Sequence, residues 1–436
     1  MRWYLGSLFL LLLGLIFDLG LLVYAMYVLL AVLLVSRYLA REWIENVAAR
    51  RRPCGTTAQI GDRVDVIVDV RNTGKLPIAW LLMEDSVPRE ALQQRPPRIR
   101  VRDSRQAIAQ LKRGGTKTIR YGIEFLMRGY YQLGPLLIES GDLFGLHRRY
   151  RVLADPQFVL VYPRVVPMLG YDIASRRPIG EVRLTHRLFE DPTRIAGVRP
   201  YERGDSLNRI HWKATARTGE LHSKVYEPST IAGATFVLDF HRDRYDSRGE
   251  PFRSELAVTT VASLANAVYQ LGQQVGFVTN GRDAVDRIAT EGWRHEFRSR
   301  EVAQAAASMT GTSDRLRPVV VPTRRGADQL MRILEALARV ELTDGLPFPE
   351  LILEAAGRLP RDATVVAVLP DVPPETAIAL GALRRRGFAV TAVLVMYGDE
   401  DRFANAVGRL FAENVDIRRV EDEAGLAQLC AEQLVR

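Results

Sequence analysis

Residues Gly197 to Tyr226 read GVRPYERGDSLNRIHWKATARTGELHSKVY, and no other window of the chain gathers so many directional polar groups around one aromatic. Asp205 followed by Ser206 is a helix-start signal, because a short side-chain oxygen caps the free N–H groups of a first turn. A helix starting there puts Arg209, Lys213 and Arg217 on one face, at i, i+4 and i+8. His211 and Thr215 fall on the neighbouring face, and Trp212 is placed to anchor the turn in a core. Gly219 then stops the helix, and Leu221, Ser223 and Val225 alternate with His222, Lys224 and Tyr226 as a strand does.

The pattern G-x-R-x-Y-x-x-G-D-x-x-x-R-x-I-H-W-x-x-T-A-R, followed by K-x-Y, closely resembles the signature of the bacterial "domain of unknown function 58" family. The resemblance extends upstream to RGYYQLGPLLIESGDLFGL (Arg128 to Leu146) and downstream into an α/β region, so it covers most of the chain. It implies a membrane-anchored protein whose C-terminal part is similar to a von Willebrand factor A domain and which accompanies MoxR-type AAA+ ATPases. It implies no chemical activity. The residues it marks as signature and candidate partner-binding positions are Arg199, Tyr201, Gly204, Asp205, Arg209, His211, Trp212, Lys213, Thr215, Arg217, Lys224 and Tyr226.

A chain of 436 residues is long enough for two or three domains with cores of their own. Its hydrophobic fraction of 47% and charged fraction of 25% are those of globular protein, which argues against disorder. Two cysteines, Cys54 and Cys430, stand far apart; they give no disulfide framework or metal-ligand cluster and suit a reducing compartment. A formal charge of +9 points to anionic partners such as an inner-leaflet surface, nucleic acid or acidic protein. Membrane-proximal arginines account for much of that excess, so no nucleic acid is expected as a partner.

Working outward, residues 1–53 read as a transmembrane segment and its basic flank. Trp3 to Val35 is almost wholly apolar. As one helix it would be about 50 Å long, against a hydrocarbon core of about 30 Å. Asp18 and Gly20 interrupt it, which predicts a hairpin of two short helices turning at Phe17–Gly20. Arg2 then lies with Arg37, Arg41 and Arg50–Arg52, and the positive-inside rule makes that side the cytoplasm. The expected location is therefore the bacterial inner membrane, two-pass, with the soluble domains cytoplasmic.

From Thr56 to about Pro163 the pattern has period two. Val64, Val66, Val68 and Val70 alternate with polar residues, and further strands are expected at Ile78–Met83, Thr118–Phe125, Leu136–Ser140 and Phe158–Tyr162. Residues 54–165 are expected to form an antiparallel, Ig-like β-sandwich. The arginine-rich stretch Pro88–Arg113 reads as an exposed loop or irregular edge, with charges within reach of lipid headgroups. Residues 166–228 form the signature segment, entered through an Asp191-Pro192 linker. Residues 229–436 alternate strands (Thr235–Asp239, Val275–Thr279, Thr364–Leu369, Val390–Val395) with helices (Ser254–Leu271, Ala327–Val340, Thr376–Arg386). That alternation predicts an open, mostly parallel sheet covered on both faces.

Ligands of such sheets bind at the carboxyl ends of strands. Those ends carry Asp239-Phe240-His241-Arg242-Asp243 and Pro370-Asp371. A von Willebrand A domain is expected to hold Mg²⁺ there with D-x-S-x-S, a Thr before a helix and a last Asp. Asp239 and Asp371 match that pattern. His241 and Asp243 replace the serines, and Gly326-Ala327-Asp328 lacks the threonine. The site reads as a degenerate divalent-cation site at Asp239, His241, Asp243 and Asp371, or as an ion-paired remnant joining Asp239 to Arg242 or another arginine; no cofactor is expected.

No phosphate loop, H-E-x-x-H, C-x-x-C, G-x-S-x-G or G-x-G-x-x-G occurs, so no catalytic residue is assigned. Two functions remain. One is an adaptor that works with a MoxR-type ATPase in assembling or maturing a client complex. The other is a hydrolase or transferase for an anionic substrate at the His211/Arg217 face. The first is preferred, since a histidine beside Trp212 serves structure more readily than a triad. Local carboxylates (Glu190, Asp191, Glu202, Asp205, Glu220, Glu227) suit an internal ion-pair lock for Arg199 and Arg209. Lys213 and Arg217 are left as the exposed pair.

Overall fold

The computed structural model describes residues 2–168, 190–201, 210–228, 233–291, 316–360, 363–395 and 400–429. The chain divides into two compact units, the first built mainly from residues 1–164 and the second from 165–281, 314–333 and 342–436. It is a mixed α/β protein with an apolar N-terminal helix and several sheets.

Unit 1 begins with α1 (Arg2–Ile16) and α2 (Gly20–Glu45), separated by a turn where Asp18 takes a left-handed φ of 52°. Gly14 of α1 lies against Leu22 and Val23 of α2, where a Cβ would be crowded. The two halves of α2 behave differently. Leu33, Ser36, Ala40, Trp43 and Ile44 recur at helical spacing and are buried, whereas Leu21, Tyr24 and Val28 are exposed. Arg151 closes the helix end, its Nη1 donating to the carbonyls of Glu45 (2.6 Å) and Ile44 (3.2 Å).

Eleven strands follow: β1 (Val47–Arg51), β2 (Thr57–Gln59), β3 (Arg63–Asn72), β4 (Ile78–Asp85), β5 (Ile99–Arg102), β6 (Gln106–Leu111), β7 (Thr116–Phe125), β8 (Gly129–Leu133), β9 (Leu136–Gly141), β10 (Arg148–Ala154) and β11 (Gln157–Tyr162), with a short helix α3 (Arg89–Gln93) after β4. They form sheets ordered β1-β3-β7-β5, β10-β9-β4-β6 and β2-β11-β8; β2 runs parallel to β11 and the other pairs are antiparallel. One core joins all three sheets, with Val66, Val68 and Val70 of β3, Leu81 and Met83 of β4, Ile123 and Phe125 of β7, and Val159 and Val161 of β11.

Of the two expectations for Pro88–Arg113, the loop fails and the edge holds, since β5 and β6 are edge strands of their sheets. The stretch supplies α3, β5 and β6 and buries Ala91, Ile99 and Leu111. In β5 the alternation is real but its polar positions are arginines. Arg100 and Arg102 reach Glu124 of β7 at 3.5 and 3.3 Å, as does Arg63 at 3.6 Å.

Arg51 likewise leaves the expected basic membrane flank. It is buried on β1 and makes a two-pronged bond to Asp85 at 2.5 and 2.6 Å. The Tyr121 hydroxyl donates to the same carboxylate at 2.7 Å. Gly134, with φ of 91°, lies so close to Arg51 that any Cβ would collide with the guanidinium.

In unit 2, β12 (Glu190–Pro200) and β13 (His222–Pro228) form an antiparallel ribbon, and α4 (Trp212–Thr218) lies between them in sequence. The expected Asp191-Pro192 linker is part of β12. Register shifts on either side of Ile195 accommodate that irregular, proline-containing strand. A six-stranded sheet follows from β14 (Gly233–Leu238), β15 (Gln274–Thr279), β17 (Val319–Arg324), β19 (Thr364–Leu369), β20 (Val390–Val395) and β21 (Asp416–Val420). Its order is β17-β15-β14-β19-β20-β21, and β17 alone is antiparallel to its neighbour.

Strands β14, β19 and β20 are buried at every position, as the strands of a doubly covered sheet are, each apolar but for one buried threonine (Thr235, Thr364 and Thr391). Helix α5 (Phe252–Gln270) packs on β14 and β15. Residues from α8 (Phe348–Ala355), α9 (Pro374–Arg385) and α10 (Glu400–Ala412) share a second cluster with Val237, Val365, Ala367 and Leu394; α11 (Glu423–Gln428) ends the described chain.

Later segments group with unit 1: β16 (Arg282–Asp283), α6 (Ala284–Glu291), β18 (Val340–Glu341) and the last turns of α7 (Ala327–Arg339). There Arg128 is buried and its Nη1 donates to the carbonyls of Leu337 and Val340 at 2.5 and 2.9 Å. A cation on the free carbonyls of a helix end is favourable both as hydrogen bonding and against the helix dipole.

Candidate functional site

Two places gather the residues singled out by the sequence, and both lie in unit 2. The first is the signature element. His211 serves local structure: its Nδ1 accepts the Ala214 N–H at 3.0 Å and so caps α4. The Thr215 hydroxyl accepts the His222 N–H at 3.1 Å, and the His211 N–H donates to the His222 carbonyl at 2.8 Å. The two bonds to His222 tie the helix to the start of β13. Gly219 ends it with φ of 76°, a left-handed conformation that favours glycine. The His211 ring and the Thr215 hydroxyl thus both serve local structure.

The helix begins only at Trp212, because Ile210 bridges Ser223 and His211 is its non-helical cap, so it does not run on from Asp205 and carry Arg209 as expected; Gly204, Asp205, Ser206 and Arg209 themselves lie outside the described residues. The backbones of Lys224 and Tyr226 lie on β13, paired with Val198 and Ile195 of β12. Tyr201 is half-buried, its N–H donating to the Leu221 carbonyl, and Arg199 reaches the Pro200 carbonyl with Nη1 at 3.3 Å.

Trp212 overturns its reading. It is 67% exposed, and α4 has no buried residue at all. A seven-residue helix held by its caps needs no core contact, so its aromatic faces water instead. Lys213 and Arg217 are exposed on the same helix, and Val198 and Leu221 are exposed on the ribbon beside it.

The second place is the carboxyl edge of the six-stranded sheet. Asp239, immediately after β14, is fully buried. Its Oδ1 accepts from Asn280 Nδ2 at 3.0 Å and from the His241 N–H at 3.2 Å. Asn280, immediately after the neighbouring β15, also accepts the Phe240 N–H at 2.7 Å and donates to the Leu346 carbonyl at 2.9 Å. The Tyr245 hydroxyl donates to the Asp239 carbonyl at 2.7 Å. The arginine partner expected for Asp239 is thus replaced by a neutral amide. Burial raises the Asp239 pKa above the usual carboxylate range, against the bonds from Asn280 and His241.

The other residues of the set diverge. Asp243 is 79% exposed in its side chain and 3.8 Å from His241 Nδ1, which itself accepts the Asp243 N–H. Asp371 accepts the N–H of Val372 at 2.8 Å. The threonine is not found at Gly326–Asp328, but Thr343 lies against the Asp239 loop. Fully buried, it exchanges backbone bonds with Phe240 and Arg242, and its hydroxyl accepts from Gly345. Among the described residues no three His, Cys, Asp or Glu are grouped to hold a metal ion. These residues do not fit Mg²⁺, which requires several convergent oxygens at near-octahedral geometry.

With the signature element and the sheet edge in place, the relatives can be assigned. Residues 197–315 match the family model described as "Protein of unknown function DUF58". The DUF58 match starts at the first residue of the signature and runs through the Asp239 loop, which bears out the resemblance read from the motif. "Uncharacterized protein YeaD" of Bacillus subtilis (strain 168) is 24% identical over 311 residues, covering 70% of this chain and 74% of that protein. Among solved structures, a von Willebrand factor type A protein from Catenulispora acidiphila aligns with 49% of this chain and 43% of its own, at 15% identity and a TM-score of 0.28. The CARDB domain of the PF1109 protein from Pyrococcus furiosus aligns with 26% of this chain and 91% of its own, at 9% identity and a TM-score of 0.18. Likenesses at these scores carry no argument, and the fold rests on the sheet order itself.

Proposed function

We propose that this chain is a membrane-anchored interaction protein whose signature element docks a partner, a MoxR-type AAA+ ATPase acting in the assembly or maturation of a client complex. The observation that carries the reading is Trp212, two-thirds exposed on a rigidly capped helix beside Lys213 and Arg217. Tryptophan and arginine are the residues most enriched where binding energy concentrates, and a pre-formed helix loses little freedom on docking. The side chains of His211 and Thr215 hold that helix in shape.

The anchor is α1 and α2, read as a two-pass hairpin in the bacterial inner membrane with an Ig-like sandwich and the α/β unit in the cytoplasm. Helix α2 is long and apolar enough to cross a bilayer, and only 11% of its most apolar window is buried, which is unlike a core helix. Helix α1 is shorter, and Arg37 and Arg41 follow the apolar run.

Affinity purification of the detergent-solubilised full chain tests the docking. Wild type should retain an AAA+ ATPase, and Trp212→Ala should lose it at an unchanged melting temperature. Equal retention by both proteins, or no ATPase with either, would rule the reading out.

A further inference from the structure

The turn between β9 and β10 shows three large apolar side chains to solvent: Leu143 is 64%, Phe144 66% and Leu146 50% exposed. The backbone beneath them is firmly built. Asp142 is buried and accepts the N–H groups of Phe144 (3.0 Å) and His147 (2.6 Å), while its own N–H donates to the His147 carbonyl at 3.1 Å. Trp80 Nε1 donates to the Asp142 carbonyl at 3.4 Å, and Gly145 supplies a left-handed φ of 72°. Three apolar side chains held outward on a fixed scaffold form a presented surface.

Its position comes from a separate contact. Buried Ser36 of α2 lies 2.9 Å from His147 Nδ1 through its Oγ. In sequence Ser36 closes the uncharged run Gly20–Val35, and Arg37 is the first charge after it. That run spans about 24 Å at 1.5 Å per residue, most of a hydrocarbon core. The turn is therefore pinned where α2 changes from apolar to basic, at the residue that follows exposed Leu34 and Val35 in sequence. Arg148 and Arg149 follow the turn directly, and Arg37 and Arg41 lie on the same stretch of α2. Cations at that level suit anionic headgroups, and apolar side chains suit the acyl boundary just beyond them.

We propose that the Leu143–Leu146 turn is a second membrane contact, dipping Leu143, Phe144 and Leu146 into the interfacial layer of the bilayer that α2 crosses. The proposal rests on reading α2 as a membrane span. Only α2 connects the anchor to unit 1, which leaves unit 1 free to tilt about one attachment, and a second apolar contact fixes which face of its sheets meets the lipid.

The test uses the full chain with Cys54→Ser and Cys430→Ser, reconstituted in phosphatidylethanolamine/phosphatidylglycerol nanodiscs. A nitroxide is placed at Phe144→Cys, at Val28→Cys on the exposed side of α2, or at Ser104→Cys on an exposed turn of unit 1. Collision with oxygen and with a water-soluble nickel chelate is then measured. The Phe144 label should share the oxygen preference of the Val28 label, with a several-fold higher oxygen-to-nickel ratio than at Ser104. A lipid-like Val28 label with a nickel-accessible Phe144 label overturns this proposal and leaves the anchor standing. A Phe144 label reached by neither collider is covered by protein, which also overturns it. A water-like Val28 label removes the anchor and this contact together. Phe144 is exposed, so its substitution should leave the melting temperature unchanged.

Discussion

Asn280 Nδ2 donates to Asp239 Oδ1 across 3.0 Å, from the end of one strand to the end of the next, where a cation was expected. The amide bonds three groups at once, Asp239 Oδ1, the Phe240 N–H and the Leu346 carbonyl, while Asp239 Oδ2 is buried with no hydrogen-bond partner among the described residues. It thus does the work of a staple at the carboxyl edge of the sheet. Removing it strands buried polar groups that each cost about 1–3 kcal/mol when unmade. Asn280→Ala should therefore destabilise the protein by about 3 kcal/mol or more in urea or thermal unfolding. Added Mg²⁺ should restore none of that loss; full rescue by Mg²⁺ would show that the site takes a cation after all.

The same contact has a pH signature. Burial raises the folded pKa of Asp239 above its unfolded value of about 3.9, so between the two values the native state holds the extra proton. The contribution of this carboxyl is complete below about pH 4. It is lost as pH rises through the folded pKa. Asp239→Asn mimics the protonated group and removes the titration. The stability of wild type relative to Asp239→Asn should fall with rising pH and then level off. A difference that is flat across the acid range, measured by chemical denaturation, would place the Asp239 pKa at its ordinary value.

Much of this fold was legible in the chain, and what was missed shares a cause. Thr364–Leu369 and Val390–Val395 were read as strands and are β19 and β20, because a doubly covered strand is written as a nearly uninterrupted apolar run. β5 is hidden in the sequence because arginine fills its outward positions, and β6 because Ile108 stands at an exposed position and breaks the alternation of apolar with polar. Trp212 is placed by its sequence to anchor the turn in a core, yet a short helix fixed by His211 and Gly219 leaves its aromatic in water. Asn280 carries no local pattern. Its role depends on the register that sets Leu238 beside Thr279, a non-local fact that only the folded sheet supplies.

The Arg51–Asp85–Tyr121 cluster gives a stability prediction in unit 1. Both charges are buried, so removing the carboxylate strands a guanidinium, which typically costs about 3–5 kcal/mol. Asp85→Ala should lose that much, and Tyr121→Phe only about 1 kcal/mol, one neutral donor to an already paired carboxylate. Gly134→Ala should approach the larger loss, because its Cβ would occupy the guanidinium's space. Chemical denaturation of the three variants in detergent orders them, and a mild Asp85→Ala would mean that Arg51 escapes to water.

Cys54 reports topology and environment together. It is half-buried, and burial pushes its thiol pKa up, partly offset by Arg51. The thiolate is the reactive form. In a Cys430→Ser background an impermeant maleimide should leave Cys54 unlabelled in intact cells. After lysis it should react slowly at neutral pH, accelerating only at a pH above that needed by an ordinary free thiol. Labelling in intact cells would put unit 1 outside and exclude a cytoplasmic ATPase.

The signature helix separates folding from docking. Lys213 and Arg217 are exposed, and exposed charges contribute little to stability, so replacing both with alanine should leave the melting temperature nearly unchanged. They should instead weaken partner binding in a way that fades as salt is raised, since charges at an interface rim act through a screened field. Trp212 should behave differently. Its removal should cost about 2 kcal/mol or more of binding, some thirtyfold, at any salt, because an aromatic anchor works by desolvation. His211→Ala should do neither directly: it removes a cap worth about 1 kcal/mol, and His211→Asn should restore it, asparagine being a strong cap. Binding measured for these variants against salt, beside their melting temperatures, distinguishes the three roles. If Lys213→Ala with Arg217→Ala unfolds the protein as far as the loss of the cap does, the basic pair is structural and α4 is not a docking surface.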